Sequence, residues 1–136
     1  MQVKGAGTSM ENEIIIDTSS ILFAVKFGRD AFDAAAALGG PSHIAMPTGV
    51  IDELRGISGG RGSKAICART ALKMLRIKNV KLYKSVEKVD DWIYHHAMEN
   101  PGCTVITNDT ELFKRLKGIH SKVFKISKNG SIRLMD

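Results

Sequence analysis

Short apolar runs alternate with segments of helical periodicity along this chain, and the alternation limits the possible folds more than any other feature. Five runs have the length of buried strands: EIIIDT (13–18), HIAMP (43–47), VKLY (80–83), CTVIT (103–107) and KVFKI (122–126). An Asn-Gly pair at 129–130 indicates a turn into a final short strand. Strands that alternate with helices build a mostly parallel sheet covered on both faces. The chain is therefore predicted to be an α/β protein.

Helix signals fill the segments between these strands. An alanine-rich stretch around 29–38 ends at Gly-Gly-Pro, and apolar residues recur at helical spacing over 50–57. Ser63 is predicted to cap a third helix, and a further helix is predicted from about 90 to 99. Either Asn108 or Asp109 is predicted to cap the last one.

The length of the chain predicts one domain, because 136 residues lie within the common domain size of about 100–150. Residues 1–12 are small and polar, and we expect a disordered tail there, followed by a single domain over 13–136. No apolar run approaches the roughly 20 residues of a membrane span, so no membrane partner is expected. Cys67 and Cys103 are isolated, which fits a reducing, cytoplasmic location.

Positive charge is concentrated in two blocks. The chain has 20 Lys and Arg against 14 Asp and Glu, a net charge of +6. Nine basic residues and no acid lie over 55–84, and seven basic residues with one acid lie over 110–133. Such fields attract polyanions, and counterion release favours nucleic acid. Nucleic acid is therefore the expected partner, against the alternative of a merely solvated basic surface.

Two acids follow strands at the same predicted edge of the sheet. Asp17 closes the first strand, and Asp109 lies just past the fourth. Ligands of parallel sheets bind beyond the carboxyl ends of the strands, so both carboxylates are expected near a binding site. A helix cap is a simpler role for Asp109. Asp17 follows three isoleucines, where an acid in a turn gains little.

Helical spacing adds two further acids to this edge. Asp90 precedes Ile93 and Ala97 at i+3 and i+7, which places it on the sheet-facing side of its helix, whereas Asp91 is expected to point outward. Favourable charge at a helix N-terminus is the simpler role for Asp90. Glu53 lies at the edge of an apolar helix face, and its simpler role is that of a solvated acid.

Four converging carboxylates predict a divalent metal. Asp17, Glu53, Asp90 and Asp109 would repel one another in a cleft, and each would resist ionisation. Mg²⁺ or Mn²⁺ removes this conflict, because these ions take oxygen ligands. One or two such ions can activate water for the hydrolysis of a phosphodiester. Zinc is disfavoured because Asp91, His95 and His96 lack a further ligand of the usual kind.

The sequence resembles the PIN-domain family. The similarity extends from residue 13 to about residue 134. It is found in four segments: IIIDTSSIL (14–22), PTGVIDELRGI (47–57), VDDWIYHHA (89–97) and VITNDTELFKRL (105–116). The order and spacing of these segments are more specific than any one of them. The resemblance implies a three-layer α/β/α fold with a mostly parallel, five-stranded sheet. It also implies an endoribonuclease that depends on Mg²⁺ or Mn²⁺.

The family motifs imply roles for individual residues. By motif, Asp17 matches the first-strand aspartate, Glu53 the acid of P-x-x-V-x-x-E-L, and Asp109 the aspartate of T-x-D. The pattern D-x-x-I-x-x-x-A selects Asp90 as the third acid, while relatives with a doubled aspartate leave Asp91 as an alternative or outer ligand. Three polar neighbours are expected to support these acids by orienting ligands or water: Ser19, Thr107 and Asn108.

Two groups within the family are similar to this chain. Short PIN chains include the toxin ribonucleases of VapBC toxin–antitoxin pairs, which implies an antitoxin partner. The stretch ELRGI…GSKAICARTALKML and the Asp-Asp pair look closer to archaeal PIN proteins related to ribosomal RNA processing nucleases, which implies a ribosome-assembly partner. RNA processing is slightly favoured over the toxin role. The family resemblance also implies a homodimer.

Together these features predict an endoribonuclease that cuts single-stranded or loop RNA, where base edges are accessible. Four basic residues are expected to contact the RNA backbone near the cleft: Arg55, Arg61, Lys64 and Arg69. The alternative is a non-catalytic RNA-binding or ribosome-assembly scaffold with a vestigial acid cluster. That alternative predicts salt-sensitive RNA binding that needs no metal.

Overall fold

The structure is a computed structural model that describes residues 13–39, 43–120 and 122–135. The strands are β1 (Ile14–Ile16), β2 (Ile44–Pro47), β3 (Lys81–Tyr83), β4 (Thr104–Ile106), β5 (Val123–Ile126) and β6 (Ile132–Leu134). The helices are α1 (Thr18–Lys26), α2 (Ala31–Gly39), α3 (Thr48–Ser58), α4 (Ser63–Ile77), α5 (Val89–Glu99) and α6 (Thr110–Lys117). The predicted disordered tail at 1–12 lies outside the described residues.

The strands form one mixed sheet in the order β3-β2-β1-β4-β5-β6. Neighbouring strands are parallel except for β5 and β6, which are antiparallel. The sheet therefore has six strands, and the expectation of five is wrong. The sixth forms because Gly130 adopts a φ of 87°, a left-handed conformation that glycine tolerates, and turns the chain back along β5.

Helices cover both faces of this sheet, as predicted. The chain runs from β1 outward to β3 through α1 to α4 and then returns through α5 and α6. Because crossovers between parallel strands are right-handed as a rule, the two directions place these groups of helices on opposite faces. In agreement, α4 packs against α1 and α3, while α5 packs against α6. The three-layer α/β/α fold with a mostly parallel sheet is thus confirmed.

Two local features differ from the sequence prediction. Helix α1 was not predicted, because only Asp17 separates it from β1 and its apolar residues continue the apolar run of the strand. Ser63 is the first residue of α4 rather than its cap, since Gly62 precedes the helix with a φ of 92°.

The core fixes the end of β1. Ile14, Ile15 and Ile16 are at most 2 % exposed, and they pack with buried residues of the surrounding helices such as Leu54 and Ile93. Three consecutive buried isoleucines place apolar side chains on both faces of the sheet, as is typical of a central parallel strand. None of the helices in the described ranges has the length and apolar character needed to cross a membrane.

A topological switch lies between β1 and β4. The chain leaves β1 toward β2 and later returns to β4 on the other side of β1. The connections at the carboxyl ends of these two strands therefore diverge and leave an opening, which is where ligands bind in sheets of this kind. Asp17 follows β1, and residues 107–109 follow β4, at this opening.

Candidate functional site

Asp17 stands at the centre of the opening between β1 and β4. It is 6 % exposed, and its N–H donates to the carbonyl oxygen of Ile106 at 2.9 Å. The hydroxyl groups of Ser19 and Thr107 donate to Oδ2 of Asp17 at 2.7 and 2.8 Å. Within the described ranges no donor bonds to the other oxygen, Oδ1, so that atom is available to a ligand.

The surroundings of Asp17 disfavour its charge. Burial raises the pKa of Asp17 above its usual value, and it outweighs the hydrogen bonds from Ser19 and Thr107, which lower the pKa. The negative charges of Glu53 and Asp109 raise it further. A cation placed among these groups would favour the ionised carboxylate.

A cavity of about 300 Å³ brings the predicted acids together. They come from four parts of the fold: the end of β1, helix α3, the first turn of α5 and the connection from β4 to α6. The acids that line the cavity are Asp17, Glu53, Asp90 and Asp109, and two lysines, Lys64 and Lys88, line it with them. We call this the acidic cavity.

Glu53 is linked to α1. The hydroxyl of Thr18 donates to Oε1 of Glu53 at 2.6 Å, which joins the start of α1 to α3 across 35 residues of sequence. Thr18 was missed by the sequence analysis, although it lies within the family segment at 14–22. Its only signal is its position directly after Asp17, and its partner is too distant in sequence to be predicted.

Asp109 is the cap of α6. Its Oδ1 accepts hydrogen bonds from the N–H groups of Glu111 and Leu112 at 2.9 and 3.4 Å, which satisfies free donors of the first turn. The N–H of Asp109 donates to Oγ1 of Thr107 at 3.0 Å. Asp109 therefore does cap the helix, as the simpler interpretation of the sequence had it. The cap also fixes the direction of its carboxylate at the acidic cavity.

Asn108 holds the site together from the side of β5. Its Oδ1 accepts hydrogen bonds from Oγ of Ser20 at 2.7 Å and from the N–H of Ile126 at 3.1 Å. Its Nδ2 donates to the carbonyl oxygen of Ile126 at 2.9 Å, and its N–H donates to Oγ of Ser19 at 3.0 Å. Both ends of the amide are occupied, so the structure gives Asn108 a positioning role. Ser20 was missed by the sequence analysis.

The two neighbouring aspartates of α5 differ in their placement. Asp90 lines the acidic cavity, whereas Asp91 is not among its lining residues. Nη1 of Arg115 lies 2.8 Å from Oδ1 of Asp91 and 3.6 Å from Oδ2 of Asp90. The guanidinium also lies over the ring of Tyr94, 4.7 Å from its centroid. Arg115 was missed by the sequence analysis, because nothing in the sequence places α6 beside α5.

A family model described as a PIN like domain matches residues 14–128. The chain belongs to the PIN-like domain family. One similar solved structure is the PIN domain endonuclease Utp24, with a TM-score of 0.71 and 23% sequence identity over 90% of each chain, which shows that the fold is shared. No curated protein is significantly similar to the chain in sequence. The predicted resemblance to PIN domains is confirmed.

The chemistry of this PIN-like domain fits a hydrated Mg²⁺ or Mn²⁺. In the described part of the chain, no three Asp, Glu, His or Cys side chains lie close enough to hold a metal ion as they are placed. Mg²⁺ keeps several waters and is commonly bound through one or two carboxylates, so a complete protein cage is not required. In the part of the chain that the structure describes, Oδ1 of Asp17 accepts no hydrogen bond and can ligate an ion, and the other acids line the same cavity.

The four basic residues predicted to contact RNA lie in different places. Lys64 lines the acidic cavity of the PIN-like domain. Arg69 donates to the backbone carbonyl groups of Ser58 and Gly60, which ties α4 to the end of α3. Arg61 is exposed in the turn between α3 and α4, and Arg55 lines a separate cavity with residues of α4. Lys88, before α5, was missed because it stands apart from both basic blocks.

A thermal test follows from the raised pKa of Asp17. The folded protein holds the proton of the Asp17 carboxyl more tightly than the unfolded chain does. The free energy of unfolding therefore falls as the pH rises through the folded pKa of Asp17, and it has reached its lower value once the carboxyl is fully ionised. Without metal, Asp17→Asn is therefore expected to melt at a higher temperature than the native protein at neutral pH. Saturating Mn²⁺ is expected to raise the melting temperature of the native protein alone, since a ligand at 100 times Kd adds about 2.7 kcal/mol. An equal shift in both proteins would place the ion elsewhere.

Removal of Arg115 is expected to tighten metal binding. Arg115→Gln takes a positive charge away from Asp90 and Asp91, and we expect Mn²⁺ affinity to rise about two- to fivefold, the size of an exposed ion pair. Lys117→Gln, an exposed position on the same helix, makes the same change in net charge and serves as the control in a calorimetric titration. Identical titrations for the two variants would assign the effect to net charge alone.

Proposed function

We propose that this PIN-like domain is an endoribonuclease that depends on Mg²⁺ or Mn²⁺ and hydrolyses phosphodiester bonds in single-stranded or loop RNA. One observation carries the proposal: four acids from four separate elements line a single cavity together with two lysines. An acidic centre in a basic surface suits the cleavage of a polyanion. The lysines attract the RNA to carboxylates that would otherwise repel it. Similarity in fold to the PIN domain endonuclease Utp24 supports it.

The acids of the site would hold the metal ion. Asp17 would hold the ion through Oδ1, while Ser19 and Thr107 fix the other oxygen. The remaining acids of the cavity, Glu53, Asp90 and Asp109, would bind the ion directly or through water. When bound, the ion supplies a water of lowered pKa and stabilises the negative charge on the phosphate.

The lysines and the positioning residues serve the substrate. Lys64 and Lys88, which line the same cavity as the acids, would hold phosphate groups there. Asn108 ties the connection from β4 to α6 to Ser20 of α1 and to Ile126 of β5. Attack of water on the phosphate would leave a 5′-phosphate and a 3′-hydroxyl.

The biological setting is proposed from the sequence. The stretch at 53–75 is similar to archaeal PIN proteins related to ribosomal RNA processing, and this supports RNA processing over a toxin role. The homodimer, the ribosome-assembly or antitoxin partner and the cytoplasmic location stay predictions.

The proposal is tested with end-labelled RNA incubated with purified protein in Mn²⁺, in Mg²⁺ and in chelator. We expect internal cuts in either metal and none in chelator. The new 5′ ends should carry a phosphate, so a kinase should label them only after treatment with a phosphatase. Salt-sensitive RNA binding with no cleavage in either metal would contradict the enzyme and favour the scaffold.

A further inference from the structure

A second cavity, of about 400 Å³, adjoins the acidic cavity between α1 and α4. Its lining residues are Ser19, Leu22, Phe23, Lys26, Ser63, Lys64, Cys67 and Asn108. Three of them, Ser19, Leu22 and Lys64, also line the acidic cavity, so the two spaces are neighbours with a shared wall. We call this second space the side cavity. Nothing in the proposed chemistry uses it.

The side cavity combines an apolar wall with positive charge. Leu22 and Phe23 are partly buried on α1, and Cys67 is partly buried on α4. The ring of Phe23 packs against that of Phe27, with centroids 4.8 Å apart, which fixes its position. Lys26 and Lys64 are exposed at the rim. A mostly apolar space with a few polar groups suits a flat, neutral ring. The lysines at the rim suit a negatively charged group attached to that ring.

We propose that the side cavity receives the base of the nucleotide next to the cleaved phosphate, with Lys26 and Lys64 on the phosphates of that nucleotide. This inference rests on the proposed function. Lys64 lines both cavities, so a phosphate held there is within reach of the acids and its own base is next to the side cavity. The volume lies within the range of about 300–1,000 Å³ typical of small-ligand sites.

The lining also predicts how the base is read. The amide of Asn108 is committed to Ser20 and Ile126, and Oγ of Ser19 is committed to Asp17. Apart from the two lysines, the hydroxyl of Ser63 and the thiol of Cys67 are the polar groups of the lining that remain, too few to tell one base from another. Contact is therefore made through the ring face, which every base presents. We therefore expect the side cavity to accept any base with little discrimination.

Cys67 provides a direct readout of occupancy. Cys67 is partly exposed in the side cavity, whereas Cys103 is 0 % exposed and burial raises the pKa of its thiol to about 12. Iodoacetamide should therefore alkylate Cys67 selectively, because the thiolate is the reactive form. The native protein is saturated with an RNA hexamer in chelator, with saturation confirmed by fluorescence anisotropy, and alkylation is followed by peptide mass spectrometry.

We expect RNA to slow the alkylation of Cys67 by about tenfold, and a hexamer of abasic sites at equal saturation to leave it unchanged. Equal protection by both oligomers, or by neither, would overturn the base cavity while leaving the nuclease intact. Protection by RNA in a protein that never cleaves would keep the base cavity and refute the nuclease. If no RNA binds at all, anisotropy shows it and both proposals fail.

A variant pair tests the same point without a thiol reagent. Cys67→Met extends a side chain into the side cavity, and Ile66→Met is the matched control at an exposed position of the same helix. We expect Cys67→Met to weaken the binding of RNA about tenfold and to leave the binding of abasic oligomer unchanged, while Ile66→Met changes neither. Equal weakening of both oligomers would overturn the assignment.

Discussion

Asp17→Asn is expected to lower the rate of RNA cleavage by about a thousandfold or more and to leave RNA binding intact or stronger. Asparagine keeps the size of the side chain and an oxygen for Ser19 and Thr107, but it removes the charge that would hold the ion. It also removes one negative charge that would repel the phosphates of bound RNA. Single-turnover cleavage and fluorescence anisotropy measure the two effects separately.

The control for this prediction is Asp52→Asn. Asp52 is an exposed acid on α3, one residue before Glu53, and it is not among the residues that line the acidic cavity. The same change in charge and size there is expected to leave cleavage unchanged. Equal loss of cleavage and binding in Asp17→Asn would show that the variant damages the fold or the RNA surface instead of the chemistry.

Glu13→Ala is expected to destabilise the protein by about 2 kcal/mol, within the range for buried polar groups that lose their hydrogen-bond partner. Glu13 precedes β1 and is 4 % exposed, and its carboxylate contacts His96 at 3.2 Å, Lys81 at 3.3 Å and the hydroxyl of Tyr83. Loss of the acid leaves the buried His96 and the half-buried Tyr83 without their shared partner, and it also frees the exposed Lys81. Urea unfolding measures the change.

This contribution should depend on pH. Burial opposes the ionisation of Glu13, but hydrogen bonds from His96, Tyr83 and Lys81 outweigh it and hold the pKa of Glu13 below its usual value. The stabilisation is therefore present above the unfolded pKa of about 4.3 and is lost as the pH falls through the folded pKa. The gap between native protein and variant should shrink in acid. Glu99→Ala, an exposed acid on α5, should show no such gap at any pH.

A constant gap between the native protein and Glu13→Ala from neutral pH into acid would contradict an ionised Glu13. A gap below about 1 kcal/mol at neutral pH would assign to the cluster no more than the value of an exposed pair.

The alternation of apolar runs was sufficient to predict where Asp17 and Asp109 meet. Parallel strands bring their carboxyl ends to one edge, so an acid after β1 and an acid after β4 become neighbours whenever those strands pair. The helical spacing of Asp90 with Ile93 and Ala97 likewise carried information, because both apolar residues are fully buried. Periodicity thus predicted the acids that line the acidic cavity.

Contacts between distant segments could not be predicted in this way. The pairing of Arg115 with Asp91 depends on how α6 lies against α5, and the cluster of Glu13 depends on β3 pairing with β2. Helix α1 escaped prediction because its apolar residues continue those of β1 without a break. The Asn-Gly pair at 129–130 indicated a turn into a final short strand, which is β6, but the family resemblance implied a sheet of five strands.

The most direct test of the central claim is a calorimetric titration of the native protein and of Asp17→Asn with Mn²⁺. The proposal predicts one or two bound ions in the native protein and loss of that binding in the variant, with Asp52→Asn unchanged. Equal binding of Mn²⁺ to the native protein and to Asp17→Asn would contradict it, because the ion would then lie outside the acidic cavity.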